Sequence, residues 1–112
     1  MAIQNLSEDV VLVTLPVEPQ IIIRELKLVN EIVSNKGGCD VVIDFSNVEM
    51  LSSSGISNLM ILRGLLCEQE RQLTLCSVSP TVKDIFTIAG IDEVFEFVDD
   101  KHAALVSVQH TN

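Results

Sequence analysis

Residues 41–56 read Val41-Val42-Ile43-Asp44-Phe45-Ser46-Asn47-Val48-Glu49-Met50-Leu51-Ser52-Ser53-Ser54-Gly55-Ile56, passing from an apolar run through a short polar connection into a serine-glycine cluster. A strand with one wet face alternates apolar and polar side chains, whereas Val41, Val42 and Ile43 are continuously apolar and β-branched. They predict a strand covered on both faces, with Asp44 near its end. Asn47 and Glu49 suit a turn, and Val48, Met50 and Leu51 are expected to anchor the connection to the core. Serines followed by glycine belong where a chain enters a helix, because a serine oxygen can accept a hydrogen bond from an unpaired amide of the first turn.

The chemistry available at such a junction is restricted. A helix N-terminus offers free N–H groups and the positive end of the helix dipole, so a phosphate or carboxylate is stabilised there by backbone alone. A serine at this place is a candidate phosphate carrier, since phosphorylation adds nearly two negative charges and strong acceptors where amides can receive them. From helix physics alone, the plain N-cap is the simpler reading.

Working outward, residues 2–6 and Val10 to Leu15 predict a strand pair turning through Ser7-Glu8-Asp9. Pro16 and Pro19 bracket a connection in which a strand cannot easily continue. Over residues 20–35, apolar side chains at 22, 26, 29 and 33, with 21, 28 and 32 alongside, have helical spacing. Arg24, Glu25, Lys27, Asn30 and Glu31 are expected on the solvated face, and Gly37-Gly38 ends the helix. A strand at 40–45 leads into the junction.

The following helix, about 54–69, carries apolar residues all round. Ile56, Leu59, Met60, Leu66 and Cys67 are read as one stripe that includes Arg63, with Ile61, Leu62 and Leu65 on the opposite side. Such a helix is either deeply buried or covers one side with a partner or a second copy, so a homodimer surface continuous with the serines is one reading and packing by neighbouring helices the other. A strand at 72–78 follows. Ser79-Pro80 then supplies an N-cap and a proline suited to the first helical position, with Val82, Ile85, Phe86 and Ala89 as the buried face and Gly90 as the stop. Residues 94–98 close the sheet. Asp99 or Asp100 caps a last helix whose Ala103, Ala104, Leu105 and Val108 pack inward, and His102 and His110 are expected at the surface. The fold class is therefore α/β: a mixed sheet of about five strands with about four helices, in the order β-β-α-β-α-β-α-β-α.

Composition narrows the function. At 112 residues and 47% hydrophobic content the chain is expected to form one domain, residues 1–112, with a real core. Seven basic residues against sixteen acidic give a net charge of -9, and the basic ones are dispersed, which argues against direct nucleic-acid binding and favours a partner with a basic face. Cys39, Cys67 and Cys76 are odd in number and lack metal-ligand spacing, as expected of reduced thiols in a cytoplasmic protein without a metal. No signal-peptide pattern opens the chain and no apolar run is long enough to cross a bilayer. Ser52-Ser53-Ser54-Gly55 is not a nucleophile elbow and no glycine-rich phosphate loop is present, so neither an enzyme nor a cofactor is expected.

Leu51-Ser52-Ser53-Ser54-Gly55-Ile56, preceded by Val42-Ile43-Asp44-Phe45-Ser46-Asn47-Val48, resembles the signature of STAS domains, the family of bacterial anti-sigma factor antagonists. A second block, Leu73 to Pro80 with Val82, Ile85-Phe86, Ala89-Gly90-Ile91 and Val94-Phe95, is similar to the family's later strand, helix and final strand. The usual family pattern is Asp-Ser-Ser/Thr-Gly, with the serine after the aspartate phosphorylated. By position that serine is Ser53, and Ser52 stands where the family has aspartate, removing a carboxylate beside the acceptor hydroxyl.

The resemblance implies a phosphorylation-controlled binding module. Unmodified, it binds an anti-sigma factor that is often itself a serine kinase, and so frees a sigma factor; phosphate on Ser53 abolishes binding and a serine phosphatase restores it. Ser52, Ser54, Gly55 and Ile56 are the accompanying partner-binding candidates. The alternative is a non-phosphorylated STAS scaffold in which loss of the aspartate marks loss of switching. A third reading, a STAS domain that binds a small molecule or lipid, has no residue that specifies a ligand.

Overall fold

A computed structural model describes residues 3–109. Strands β1 (Ile3–Ser7) and β2 (Val10–Thr14) form an antiparallel hairpin whose register shifts between Asn5 and Ser7, and Ser7 Oγ donates to Asp9 Oδ1 at 2.9 Å across the turn. Helix α1 (Pro19–Lys36) follows, starting on proline at a position that needs no amide donor. It ends at Gly37 and Gly38, both at positive φ (68° and 70°), the conformation in which a side chain is strained. Next come β3 (Asp40–Asp44), α2 (Ser53–Glu68), β4 (Leu73–Cys76), α3 (Pro80–Ile88), β5 (Glu96–Val98) and α4 (Lys101–Gln109). The expected order of elements is the observed one.

The sheet runs β1-β2-β3-β4-β5, with β2 to β5 parallel. Parallel neighbours need crossovers, and the helices that make them cover the sheet. Val11, Val13, Val41, Ile43 and Leu75 face α1, α2 and α3, whereas Val10, Leu12, Val42 and Cys76 face Ala104 and Val108 of α4. This explains the unbroken apolar run at 41–43, since neighbouring residues serve opposite cores. Phe86 of α3 meets Phe45, Phe95 and Phe97 edge to face, with ring centroids 6.3, 5.4 and 5.3 Å away, which holds α3 over the end of the sheet. At the other end of the strands, Arg71 clamps Asp40, with Nε to Oδ1 at 3.1 Å and Nη2 to Oδ2 at 3.2 Å, while the Gln72 amide donates to Oδ1 at 2.8 Å. Both acceptor oxygens of a nearly buried carboxylate are thus satisfied.

Several side-chain expectations are corrected. Leu62 is fully buried, on the same face as Leu59 and Leu66, because 59, 62 and 66 stand at helical spacing; Met60 and Cys67, read in that stripe, are exposed, and Ile61 is exposed on the opposite side as expected. Asn30, expected in solvent, is buried against α2, its Nδ2 donating to the Asn58 carbonyl at 3.1 Å. Met50 lies 63% exposed, so of the three expected anchors of the connection Val48 and Leu51 are the buried ones. Ala89 and Ala103 end up exposed beside the buried Phe86 and Ala104. The closing strand begins at Glu96 rather than residue 94, and of the two proposed caps of α4 it is Asp100 that accepts from Ala103 N, at 2.8 Å. His102 is exposed as expected. Residue 2 of the first expected strand and His110 lie outside the described residues.

Candidate functional site: the serine junction at the start of α2

Asp44 closes β3 and folds the connection back on itself, its Oδ1 accepting from the Ser46 amide at 2.9 Å. Phe45, Val48 and Leu51 are buried, and Val48 N donates to Phe45 O at 2.9 Å. The loop therefore arrives at α2 along a fixed path, with its polar residues outside. Ser52 is the N-cap: its backbone is extended (φ -79°, ψ 166°) and its Oγ accepts from Gly55 N at 3.2 Å. Serine and aspartate cap helices about equally well, and Ser52 holds this cap without adding a charge.

Ser53 is the first helical residue and is exposed, with no hydrogen-bond partner for its hydroxyl among the described residues. Ser54, also exposed, uses its carbonyl to accept from Asn58 Nδ2 at 2.8 Å. The Ser53 and Ser54 amides have no protein acceptor among the described residues, whereas Gly55 N is taken by the cap and Ile56 N by the Ser52 carbonyl at 3.0 Å. The first turn of α2 contains no acidic residue. An anion on Ser53 therefore meets two free donors and an uncompensated helix dipole.

Gly55 is buried beneath the cap. A Cβ there would lie 2.8 Å from Leu51 Cδ1 and 3.6 Å from Ser52 Oγ, so the glycine lets the anchoring leucine and the capping serine share the space under the first turn. Ile56 is half-buried and packs on the main core. The structure thus places Ser52, Ser53, Ser54, Gly55 and Ile56 on one turn with different exposures: Ser53 and Ser54 outside, Gly55 inside, Ser52 and Ile56 between. Beyond Ser53, exposed Ser57, Met60 and Ile61 and half-buried Gly64 continue at spacings of three and four residues, extending the face along α2. The Asn30–Asn58–Ser54 link, which joins α1 to this turn, escaped the sequence reading because an asparagine on a polar helix face carries no mark of burial.

The geometry can be set beside known proteins. A sequence model described as the STAS domain matches residues 26–104, from the middle of α1 into α4. The chain belongs to the STAS domain family. A Bordetella bronchiseptica protein named as an anti-sigma factor antagonist, BtrV, is 29% identical over 70 residues, covering 62% of this chain and 60% of that protein, so the chain matches less than two thirds of that relative's length. Among solved structures, this STAS domain is similar to RsbS of Moorella thermoacetica carrying a serine-to-glutamate substitution (TM-score 0.83, 18% identity, 97% of this chain and 94% of that one). It is also similar to a STAS domain protein of Planctomyces limnophilus (TM-score 0.81, 23% identity, 96% and 97%). At such identities the structural likeness speaks for the fold. Among the described residues, no helix of the domain is long and apolar enough to cross a membrane.

Proposed function

We propose that this STAS domain is an anti-sigma factor antagonist switched by phosphate on Ser53. The observation that carries the reading is the state of that residue: an exposed hydroxyl with no partner among the described residues, on the first turn of a helix with two free amides, at the motif position where the family carries its phosphoserine. Unmodified, the domain presents Ser53, Ser57, Met60 and Ile61 to an anti-sigma factor that is also a serine kinase, and holding that protein frees a sigma factor. Phosphate places nearly two charges in the middle of the contact and ends it, and a serine phosphatase reverses the change. Ser52 and Gly55 set the shape of the turn; Ser54 and Ile56 border the contact. The similarity to a protein named as an anti-sigma factor antagonist supports this reading.

The test is binding of the cognate kinase to three forms of the domain. Wild type and Ser53→Ala are expected to bind alike, and Ser53→Asp about tenfold or more weakly, since burying one unpaired carboxylate at an interface costs at least 1.4 kcal/mol. Equal affinity for all three forms overturns the switch.

One observation favours a second reading. Ser52 leaves no carboxylate beside Ser53, and a domain that kept the cap but lost the kinase-recognised charge would be a constitutive scaffold binding through the Met60–Ile61 side of α2. That reading expects no phosphate on Ser53 from an active cognate kinase, with the two proteins still bound.

A further inference from the structure

Toward the far end of α2, about 15–20 Å from Ser53 at 1.5 Å per residue, a crevice of about 210 Å³ opens between the helix and strands β4 and β5. Its floor is apolar, formed by buried Leu66 and Phe95 and half-buried Leu73. Its polar wall carries two of the seven basic residues of a chain with net charge -9. Arg71 is already paired with Asp40. Arg63 is not: half-buried, it spends Nε on the Val94 carbonyl at 2.8 Å, and its two terminal nitrogens have no partner among the described residues. A guanidinium with both terminal nitrogens open and no counter-ion among the described residues can receive a carboxylate that presents two oxygens to its fork.

We propose that this crevice binds a short amphiphilic monocarboxylate, its head on Arg63 and its apolar body against Leu66, Leu73 and Phe95. Glu96 lines the same crevice, its Oε1 accepting from Ser107 Oγ at 3.3 Å, and its charge disfavours doubly charged ligands such as phosphate. The volume is below that of pockets for drug-sized ligands, about 300 Å³ and upward, which limits the body to a short chain. The site stands apart from Ser53 and does not depend on the switch.

The crevice carries its own reporter. Cys67 lines it and is exposed, whereas Cys39 and Cys76 are buried, so iodoacetamide reads occupancy at Cys67 alone. Hexanoate is the probe, with acetate as the head without the body and hexan-1-ol as the body without the charge. We expect hexanoate to shift the backbone amides of residues 63–67, 71–73 and 95–96 saturably, with a dissociation constant of about 1 mM for so few heavy atoms. It should slow Cys67 alkylation over the same concentration range, while acetate and hexan-1-ol do neither. Arg63→Gln should weaken hexanoate about tenfold through loss of a charge-assisted hydrogen bond, and Glu96→Gln should tighten it. The proposal is overturned if hexanoate gives no saturable shifts, if hexan-1-ol matches it, or if a folded Arg63→Gln binds as wild type does. The probe comparison on the wild-type protein decides the matter even if a variant does not fold.

Discussion

At the scale of the residue, the junction separates three jobs that a run of serines blurs. Ser52 holds the helix end, Ser53 is free for chemistry, and Ser54 takes up the Asn58 amide. Helix physics alone leaves N-cap and phosphate carrier open for the whole cluster, because both readings rest on the same free amides, and in the sequence only the motif resemblance singles out Ser53. The backbone torsions of Ser52 assign the cap to one serine and leave the next available. Ser52→Ala should lower stability by about 1 kcal/mol in urea unfolding through loss of the cap bond. Ser52→Asp, which restores the usual family residue, should hold stability within about 1 kcal/mol of wild type or raise it, since a carboxylate also complements the helix dipole. An unchanged stability in Ser52→Ala would show that the cap bond contributes nothing to α2, and equal loss in both variants would show that aspartate does not replace the serine cap.

At the scale of the element, α2 is where reading from sequence went furthest wrong. Its apolar residues surround the helix, so hydrophobicity carries almost no directional signal, and the sequence pattern puts Leu62 opposite the stripe it belongs to. The buried face is fixed instead by the partners that close over it, Asn30 and its neighbours on α1 on one flank and the Arg63 to Val94 contact on the other. By contrast, α1 concentrates Ile22, Leu26, Val29 and Val33 on one side, and these apolar core positions were legible, with buried Asn30 the exception. Leu62→Ala should cost about 2–5 kcal/mol of unfolding free energy, as expected for a fully buried leucine. Ile61→Ala, at a site 53% exposed, should change stability by no more than about 0.5 kcal/mol and act on partner binding instead. Equally small stability losses at Ile61 and Leu62, which the sequence reading places on one side of the helix, would restore that reading.

At the scale of the molecule, the order of elements and the two-sided cover of β3 followed from the sequence. The crevice at Arg63 did not, because its walls come from α2, β4 and β5 and exist only after the crossover is made. The same two-sided burial acts on the thiols. Burial, reinforced by the nearby Asp44 carboxylate, raises the Cys76 thiol from 9.0 to about 11, and burial also raises Cys39. A thiol whose folded pKa is raised stays protonated when the unfolded chain has already ionised, so the unfolded state then holds fewer protons and stability falls as pH rises. For Cys76 this contribution is complete below pH 9 and is lost between 9 and about 11, on the order of 2 kcal/mol. Urea unfolding of Cys76→Ala and wild type across that range should show a shallower alkaline decline in the variant. Parallel curves would assign the decline to other groups.

Whether Ser53 carries the switch is read from the intact mass of the domain after incubation with the cognate serine kinase and ATP, followed by localisation of the phosphate. One phosphate is expected, on Ser53, absent from Ser53→Ala and accompanied by release of the kinase. An unmodified mass, from a kinase active on another substrate and still bound to the domain, would contradict it and leave the constitutive scaffold as the function of this fold.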